Sequence, residues 1–455
     1  MSSSGEVTVI GGGLAGGLVS IFLARQGLAV TLYDSRPDMR KSSIPAGRSI
    51  NLALANRGLT PLKRVGLGNK VDALLTTMRG RMIHDEQGGL DLQPYGQHDW
   101  EVIYSVSRPG LNSLLLDEAE RLGVVMNFST PCIEADFDKK LFTFRSEQEG
   151  NSFDIPMVHA VAADGAGSVV RQGMMKLPHY EETIDWLTHD YKELSIPPNA
   201  DGSHQMDPHA LHIWPRGGYM LIALPNLDGS FTVTLFLSRS GDPSFESLDT
   251  AEAARSLFSE MFPDALQLMP HFDEEFTANP TGELGTVRCY PWHVADRVAL
   301  MGDAAHAVVP FHGQGMNCAF EDAAGLADCL EEAGADPDWS EVMANYTGRR
   351  KRNADAIADM AIENYAEMRD SVRRPGYLLK KQLAFELERR HPEYFVPRYS
   401  MVMFRDDIGY AEAQSRGAIQ KKILETLADG KTRIEDCDFE VAKELVTLRL
   451  QPLRE

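Results

Sequence analysis

With 45 Lys plus Arg against 66 Asp plus Glu in 455 residues, the chain carries a formal net charge of −21 and lacks the basic surplus with which nucleic-acid binders neutralise phosphates. A hydrophobic fraction of 43% is ordinary for a globular protein, and the length suggests about two to three domains around a large core. The cysteines, Cys132, Cys289, Cys318, Cys329 and Cys437, are scattered without a C-x-x-C pair, which speaks against a disulfide scaffold or Cys-based zinc site and fits a reducing cytoplasm.

The leader MSSSGE has no Lys or Arg and so lacks the positive region of a secretory signal. The uncharged stretch from Val7 to Ala24 has nearly the length of a membrane span, but its clustered glycines favour a turn over a helix in lipid. No membrane anchor is expected at the polar C-terminus, and the sequons at Asn127 and Asn345 are silent in an unsecreted protein.

The first elements form a β-α-β unit: a buried strand over Val7 to Ile10, a glycine turn, a helix from Leu14 to Gln26, and a strand from Ala29 to Tyr33 ending in Asp34. A helix from Pro109 to Leu122, a strand near Val124 to Phe128 and AVAAD at Ala160 to Asp164 continue the α/β pattern. From Ala210 to Ser238 three aromatic and β-branched runs, split by Arg216-Gly217-Gly218 and by Asn226 to Gly229, predict an antiparallel meander and hence a sheet-based second domain. Gly315 to Glu332 reads as helix, and most of the chain after Asp338 reads as amphipathic helix.

Gly11, Gly13 and Gly16 form G-x-G-x-x-G between strand and helix, with Asp34 about 20 residues on, the dinucleotide fingerprint. The glycines serve a tight turn, backbone approach to a pyrophosphate and close helix packing, while Asp34 suits an adenosine ribose; NAD and FAD both satisfy this motif. Two further segments follow: Asp164-Gly165 in D-G-x-x-S-x-x-R, ending at Arg171, and Gly302-Asp303 in GDAAH. An Asp-Gly pair alone is usually a turn. Gly313-Gln314-Gly315 opens a helix whose first amides, at Gly315, Met316 and Asn317, are unsatisfied donors suited to an anion.

The ordered trio of motifs resembles the single-component FAD-dependent aromatic hydroxylases. The resemblance implies a Rossmann-like FAD-binding domain, an antiparallel-sheet substrate domain and a C-terminal helical segment. The expected divisions are 1–70, 101–178 and 282–376 for FAD, 71–100 and 179–281 for substrate, and 377–455 as a lid. It implies that Asp303 holds the ribityl chain, that Asp164 lies near FAD and a visiting NADPH, and that Arg108 lies along the FAD. Leu14, Ala15, Arg36 and Leu54 join the implied cofactor set, and no second fingerprint exists for a resident nicotinamide.

Longer strings narrow the resemblance to hydroxylases of an amine-bearing aromatic amino acid: GRSINLALANRG (Gly47 to Gly58), MRGRMIH (Met78 to His84), LQPYG (Leu92 to Gly96), Ala210 to Phe236, VPFHGQGMNCAFEDA (Val309 to Ala323), ENY (Glu363 to Tyr365) and PRYSM (Pro397 to Met401). On that likeness Arg81, Tyr95 and Tyr399 hold the substrate carboxylate with Asn364 nearby, an arrangement suited to a guanidinium fork and phenol donors. Leu211, Ile222, Leu224, Phe236, Phe311 and His312 surround the ring, and Pro310 and Gly315 flank the reacting oxygen of a flavin C4a-hydroperoxide. Without the likeness, Arg81 is a surface cation, Tyr95 and Tyr399 are half-buried phenols, and the apolar four are alternating core residues of a sheet. His312 has no H-E-x-x-H partner, so no metal is expected.

Two positions depart from the family pattern. Asp34 stands where Glu is usual, and Ala307 follows GDAAH where Pro is common, releasing the φ angle there. Rival readings are hydroxylation of another aromatic acid on the same scaffold and a flavin-bound metabolite sensor without turnover. A halogenase is disfavoured by the lack of W-x-W-x-I-P.

Overall fold

The computed structural model describes residues 5–41, 51–371 and 375–453. The leader residues 1–4 and the 47–50 portion of the GRSINLALANRG string lie outside them. The chain divides into two compact units, one of Met1–Leu75, Val106–Leu187 and Leu284–Ala358, the other of Thr76–Ser105, Thr188–Glu283 and Asp359–Glu455.

The first unit is built on a sheet ordered His293–Val294, Val298–Leu300, Ala160–Ala162, Glu6–Ile10, Ala29–Tyr33 and Val125–Asn127. All neighbours pair in parallel except the terminal His293–Val294 hairpin. Parallel strands need crossovers, and the helix Leu14–Arg25 supplies the first. That helix is buried along Gly16 to Leu23, because its apolar run is continuous. The helix Arg108–Arg121 starts on a Ser107 cap that accepts from the Gly110 amide at 3.3 Å, with Pro109 in the first turn where its missing N–H costs nothing.

In the second unit the sheet places Leu90–Pro94, Gly80–His84, Ala210–Pro215, Met220–Pro225 and Phe231–Ser238 side by side, followed by the His189 to Ile196 part of a longer strand. The expected meander over Ala210 to Ser238 is present, with antiparallel pairing throughout. One pairing differs from an all-antiparallel sheet: Ala210–Pro215 runs parallel to Gly80–His84. The intervening chain between these strands is a long crossover, which a parallel neighbour requires. One face of the sheet packs Trp214, Leu221, Val233 and Leu235 against Phe258 and Phe272 of short helices and Phe262 at the junction between two of them. A second core joins Leu383, Leu387, Ile423 and Val446 among the C-terminal helices Pro375–Arg390, Tyr410–Ala428 and Phe439–Arg449. Among the described residues no helix is long and apolar enough to cross a membrane.

Candidate active site

In the first unit the three sequence motifs meet. Gly11 has φ of 101°, and a Cβ there would lie 2.3 Å from the Ala163 carbonyl, so only glycine lets the first turn touch the D-G segment. A Cβ on Gly302 would lie 3.3 Å from Ala15 Cβ and 3.2 Å from Ala319 Cβ, which seats the G-D segment between two helices. At Gly13 the nearest neighbour of a Cβ is Arg36 Nη2 at 3.9 Å, leaving the backbone face open. The helix after it has no acidic residue in its first turn. An open backbone at a helix N-terminus is a phosphate cradle.

Asp34 is buried and accepts from the Gly12 amide at 2.6 Å and from the Arg36 amide at 2.7 Å. The Arg36 guanidinium closes on it at 3.0 and 2.9 Å, and this pairing pushes the Arg36 pKa up. Asn112 donates to the Gly12 carbonyl at 3.2 Å while its buried Oδ1 has no partner among the described residues. Asp164 caps the helix Val169–Met174 through the Val169 amide at 2.8 Å, and its Oδ1 is likewise buried and unpartnered. Burial pushes the Asp164 carboxyl up.

Asp303 is exposed between buried Gly302 and Ala304, a polar side chain pointed out of an apolar turn. Arg171 ties the motifs together: Nη1 donates to the Ala304 carbonyl at 2.9 Å, Nη2 to the Ala166 carbonyl, and Nε to Glu182 at 2.7 Å. The first backbone bond of the helix Gly315–Ala333 runs from Cys318 to Gln314 at 2.8 Å. The amides of Gly315, Met316 and Asn317 therefore have no acceptor among the described residues, as expected. The Asn317 side chain instead fastens neighbouring backbone: it accepts from Ala55 at 2.9 Å and donates to Ala53 and Gly313 at 2.9 and 2.8 Å. Leu54, between those partners, is fully buried, and Arg108 is exposed at the start of its helix. Phe311 and His312 are buried in the short turn Pro310–His312, with Pro310 exposed. Ala307 adopts φ of −60°, the angle proline would impose, so its departure leaves the backbone path unaltered.

In the second unit Arg81 is 7% exposed, and no carboxylate lies within ion-pairing distance of it among the described residues. Its guanidinium lies over the Tyr399 ring at 4.9 Å and the Tyr95 ring at 5.9 Å, and the two rings stack at 5.6 Å. Among the described residues, Arg81 Nε, the Tyr95 hydroxyl and Oε1 of the facing Gln93 are buried without hydrogen-bond partners. Burial alone lowers the Arg81 pKa, but the polar surroundings, with Glu367 among them, outweigh it and raise it overall. Burial pushes the Tyr95 and Tyr399 phenols up, so both remain neutral donors. A buried, unpaired cation with orphaned donors beside it is a site for an anion.

The predicted apolar wall is on the same side of the sheet. Leu211 is the register partner of Arg81, Ile213 of Ile222, and Met220 of Phe236. Period-two alternation then puts Arg81, Leu211, Ile222, Leu224 and Phe236 on one face. Asn364 is buried in this unit and turns Nδ2 to Met368 Sδ at 3.3 Å. Sequence reasoning missed Gln93, within the quoted LQPYG string, and the surroundings Tyr377, Glu367 and Lys381. Tyr377 donates to Glu367 at 2.9 Å, while burial and Arg81 bring the Lys381 ammonium down to about 8.

Residues 4–361 match the family model described as FAD binding domain. A kynurenine 3-monooxygenase of Stenotrophomonas maltophilia (strain K279a) is 46% identical over 437 residues, covering 96% of this chain and 95% of that protein. The chain belongs to the kynurenine 3-monooxygenase family. A family member from Myxococcus xanthus (strain DK1622) is 46% identical over 447 residues, with 98% of this chain and 96% of that protein covered. Outside the kynurenine 3-monooxygenases, 2-methyl-3-hydroxypyridine-5-carboxylic acid oxygenase shares the fold at TM-score 0.65 and 22% identity, over 82% of this chain and 95% of that one. The first unit's open glycine turn, exposed Asp303, orphaned Asp164 and Asn112 oxygens and unclaimed helix amides fit the FAD of this family.

Proposed function

We propose that the chain hydroxylates L-kynurenine to 3-hydroxy-L-kynurenine, consuming NADPH and O2 on bound FAD. The observation that carries the reading is Arg81, buried and without a carboxylate partner between Tyr95 and Tyr399 on the apolar face of the substrate sheet. Arg81 binds the substrate carboxylate with both phenols, and Asn364 completes that end. Leu211, Ile222, Leu224 and Phe236 hold the ring and exclude water.

The chemistry that FAD supplies when bound is acceptance of a hydride from NADPH and activation of O2. Gly11, Gly13, Leu14, Ala15 and Gly16 cradle its pyrophosphate, Asp34 and Arg36 its ribose, and Asp303 its ribityl chain, with Leu54, Arg108 and Asp164 alongside. The amides of Gly315, Met316 and Asn317 stabilise negative charge on the reduced ring by preorganised dipoles, next to Pro310. The substrate's own aniline nitrogen activates the ring, so the protein's work is positioning. In this division Met1–Leu75, Val106–Leu187 and Leu284–Ala358 serve the flavin, Thr76–Ser105 and Thr188–Glu283 the substrate together with Asn364, and 377–455 act as a lid that brings Tyr399 inward. A cytoplasmic location suits NADPH as the visiting reductant.

The test is NADPH oxidation by the FAD-loaded protein with and without L-kynurenine, with mass detection of a product heavier by one oxygen. Stimulated oxidation with that product supports the reading. Stimulated oxidation yielding only hydrogen peroxide makes kynurenine an effector and turns the search to other aromatic acids. No NADPH oxidation with any such ligand supports the metabolite sensor.

A further inference from the structure

Behind the G-D segment lies a buried polar cluster that the proposed chemistry does not use. Asp322, on the helix Gly315–Ala333, is fully buried. Its Oδ2 accepts from the Gly302 amide at 3.2 Å and from His306 Nε2 at 2.5 Å, and its Oδ1 accepts from Arg350 Nε at 2.8 Å. Arg350 also pairs with Glu321 at 2.9 Å and donates to the Cys318 carbonyl at 3.3 Å. His306 packs against Trp292, with ring centres 4.9 Å apart.

His306, Cys318 and Asp322 stand close enough together to suggest a metal site. The local chemistry opposes it. A guanidinium already neutralises Asp322, and burial pushes the Cys318 thiol well up, away from the thiolate a metal needs. Burial also penalises the Asp322 carboxylate, yet His306 and Arg350 overcome that and hold its pKa down at about 2.

The two ends of the short helix Asp303–His306 are therefore both fastened to one carboxylate, through Gly302 before it and His306 at its close. Gly302 itself is held at φ of 58°, a conformation that the bond to Asp322 supports. Asp303, the exposed residue of this turn, is aimed by that fastening. We propose that Asp322 is a positioning residue for FAD binding: with His306 and Arg350 it fixes the turn from which Asp303 reaches the cofactor. The proposal rests on the assignment of FAD to the first unit.

The test compares FAD affinity, by fluorescence titration of the full-length apoprotein, for wild type, Asp322→Asn and His306→Gln. The expected result is that Asp322→Asn raises the Kd for FAD about tenfold or more, since it weakens a charge-assisted contact set. The bound flavin's visible spectrum should also move toward that of flavin in water, a change that a lower unfolding temperature alone would not cause. His306→Gln leaves the Arg350 pair intact, so it decides the matter if Asp322→Asn does not fold, and a Kd raised severalfold is expected. Folded variants that bind FAD within twofold of wild type, with an unchanged spectrum, overturn the proposal. A wild-type apoprotein that binds no FAD overturns the underlying cofactor assignment instead.

Discussion

Arg171 donates to the carbonyl of Ala304 at 2.9 Å, so a side chain from the D-G segment holds the backbone of the G-D segment. Its other nitrogens reach the Ala166 carbonyl and Glu182, and both members of the ion pair are buried. One guanidinium fork thus makes three directed contacts that a lysine ammonium on its flexible stem cannot reproduce together.

Arg171→Ala should therefore lower folding stability by about 3–5 kcal/mol, because Glu182 is left as an uncompensated buried charge. Denaturant unfolding of the apoprotein measures this. Arg171→Met combined with Glu182→Leu should recover much of the loss, and a double variant as unstable as Arg171→Ala would show that the charge was not the cause.

Arg81→Gln should raise the KM for L-kynurenine by about a hundredfold, the worth of a buried charge-assisted pair, with FAD binding unchanged. Steady-state kinetics and a flavin titration separate the two. A decarboxylated kynurenine analogue should show almost no further penalty in the variant, since it has nothing for Arg81 to hold. Loss of flavin in Arg81→Gln would contradict the separation of roles.

Glu388 is buried beside Gln97, which donates to it at 2.6 Å, and burial with nearby Glu101 raises its pKa to about 7. The folded state thus holds a proton that the unfolded chain releases near 4.5. Stability contributed by that proton is complete below 4.5 and is lost as pH rises through 7. Glu388→Gln should raise Tm by a few degrees at about pH 8 and leave it nearly unchanged at about pH 4.5. An equal shift at both would exclude the titration as its source.

On the face of the substrate sheet opposite Arg81, His212 Nε2 donates to the Asp207 carbonyl at 2.8 Å. A neutral His212 then presents a bare Nδ1, which must accept from His84 Nε2 at 2.8 Å, while His84 Nδ1 donates to Asp264 at 2.9 Å. The His84 ring stacks on Trp214, ring centres 4.0 Å apart. Burial lowers the His212 pKa from 6.5 to about 4, so the unfolded chain binds the extra proton first, and stability falls as pH drops from 6.5 through 4. His212→Gln should flatten that limb in unfolding curves measured across this range. An unchanged slope would place the acid sensitivity elsewhere.

Local pattern carried much of this in the sequence. The strand, turn and helix around Gly11 follow from short-range periodicity and glycine spacing, and the alternation of Leu211 with Ile213 and of Ile222 with Leu224 marks one face of a sheet. The parallel pairing of Gly80–His84 with Ala210–Pro215 was not legible, because strand order depends on contacts far apart in the chain. Arg171 was visible only as the end of a motif, since its acceptors are backbone carbonyls that carry no residue signature. Gln93 and Asp322 escaped notice for a related reason. Each sits inside a recognised string, but its role appears only when its partner on another element, Arg81 or Gly302, is brought beside it.

Hydroxylation of kynurenine is decided by the fate of oxygen during turnover. FAD-loaded protein, NADPH and L-kynurenine are mixed under isotopically heavy O2, and the label is followed into product by mass spectrometry. One labelled oxygen in 3-hydroxy-L-kynurenine is expected for each NADPH oxidised. Label confined to hydrogen peroxide and water, with kynurenine recovered unchanged, would contradict the hydroxylase reading.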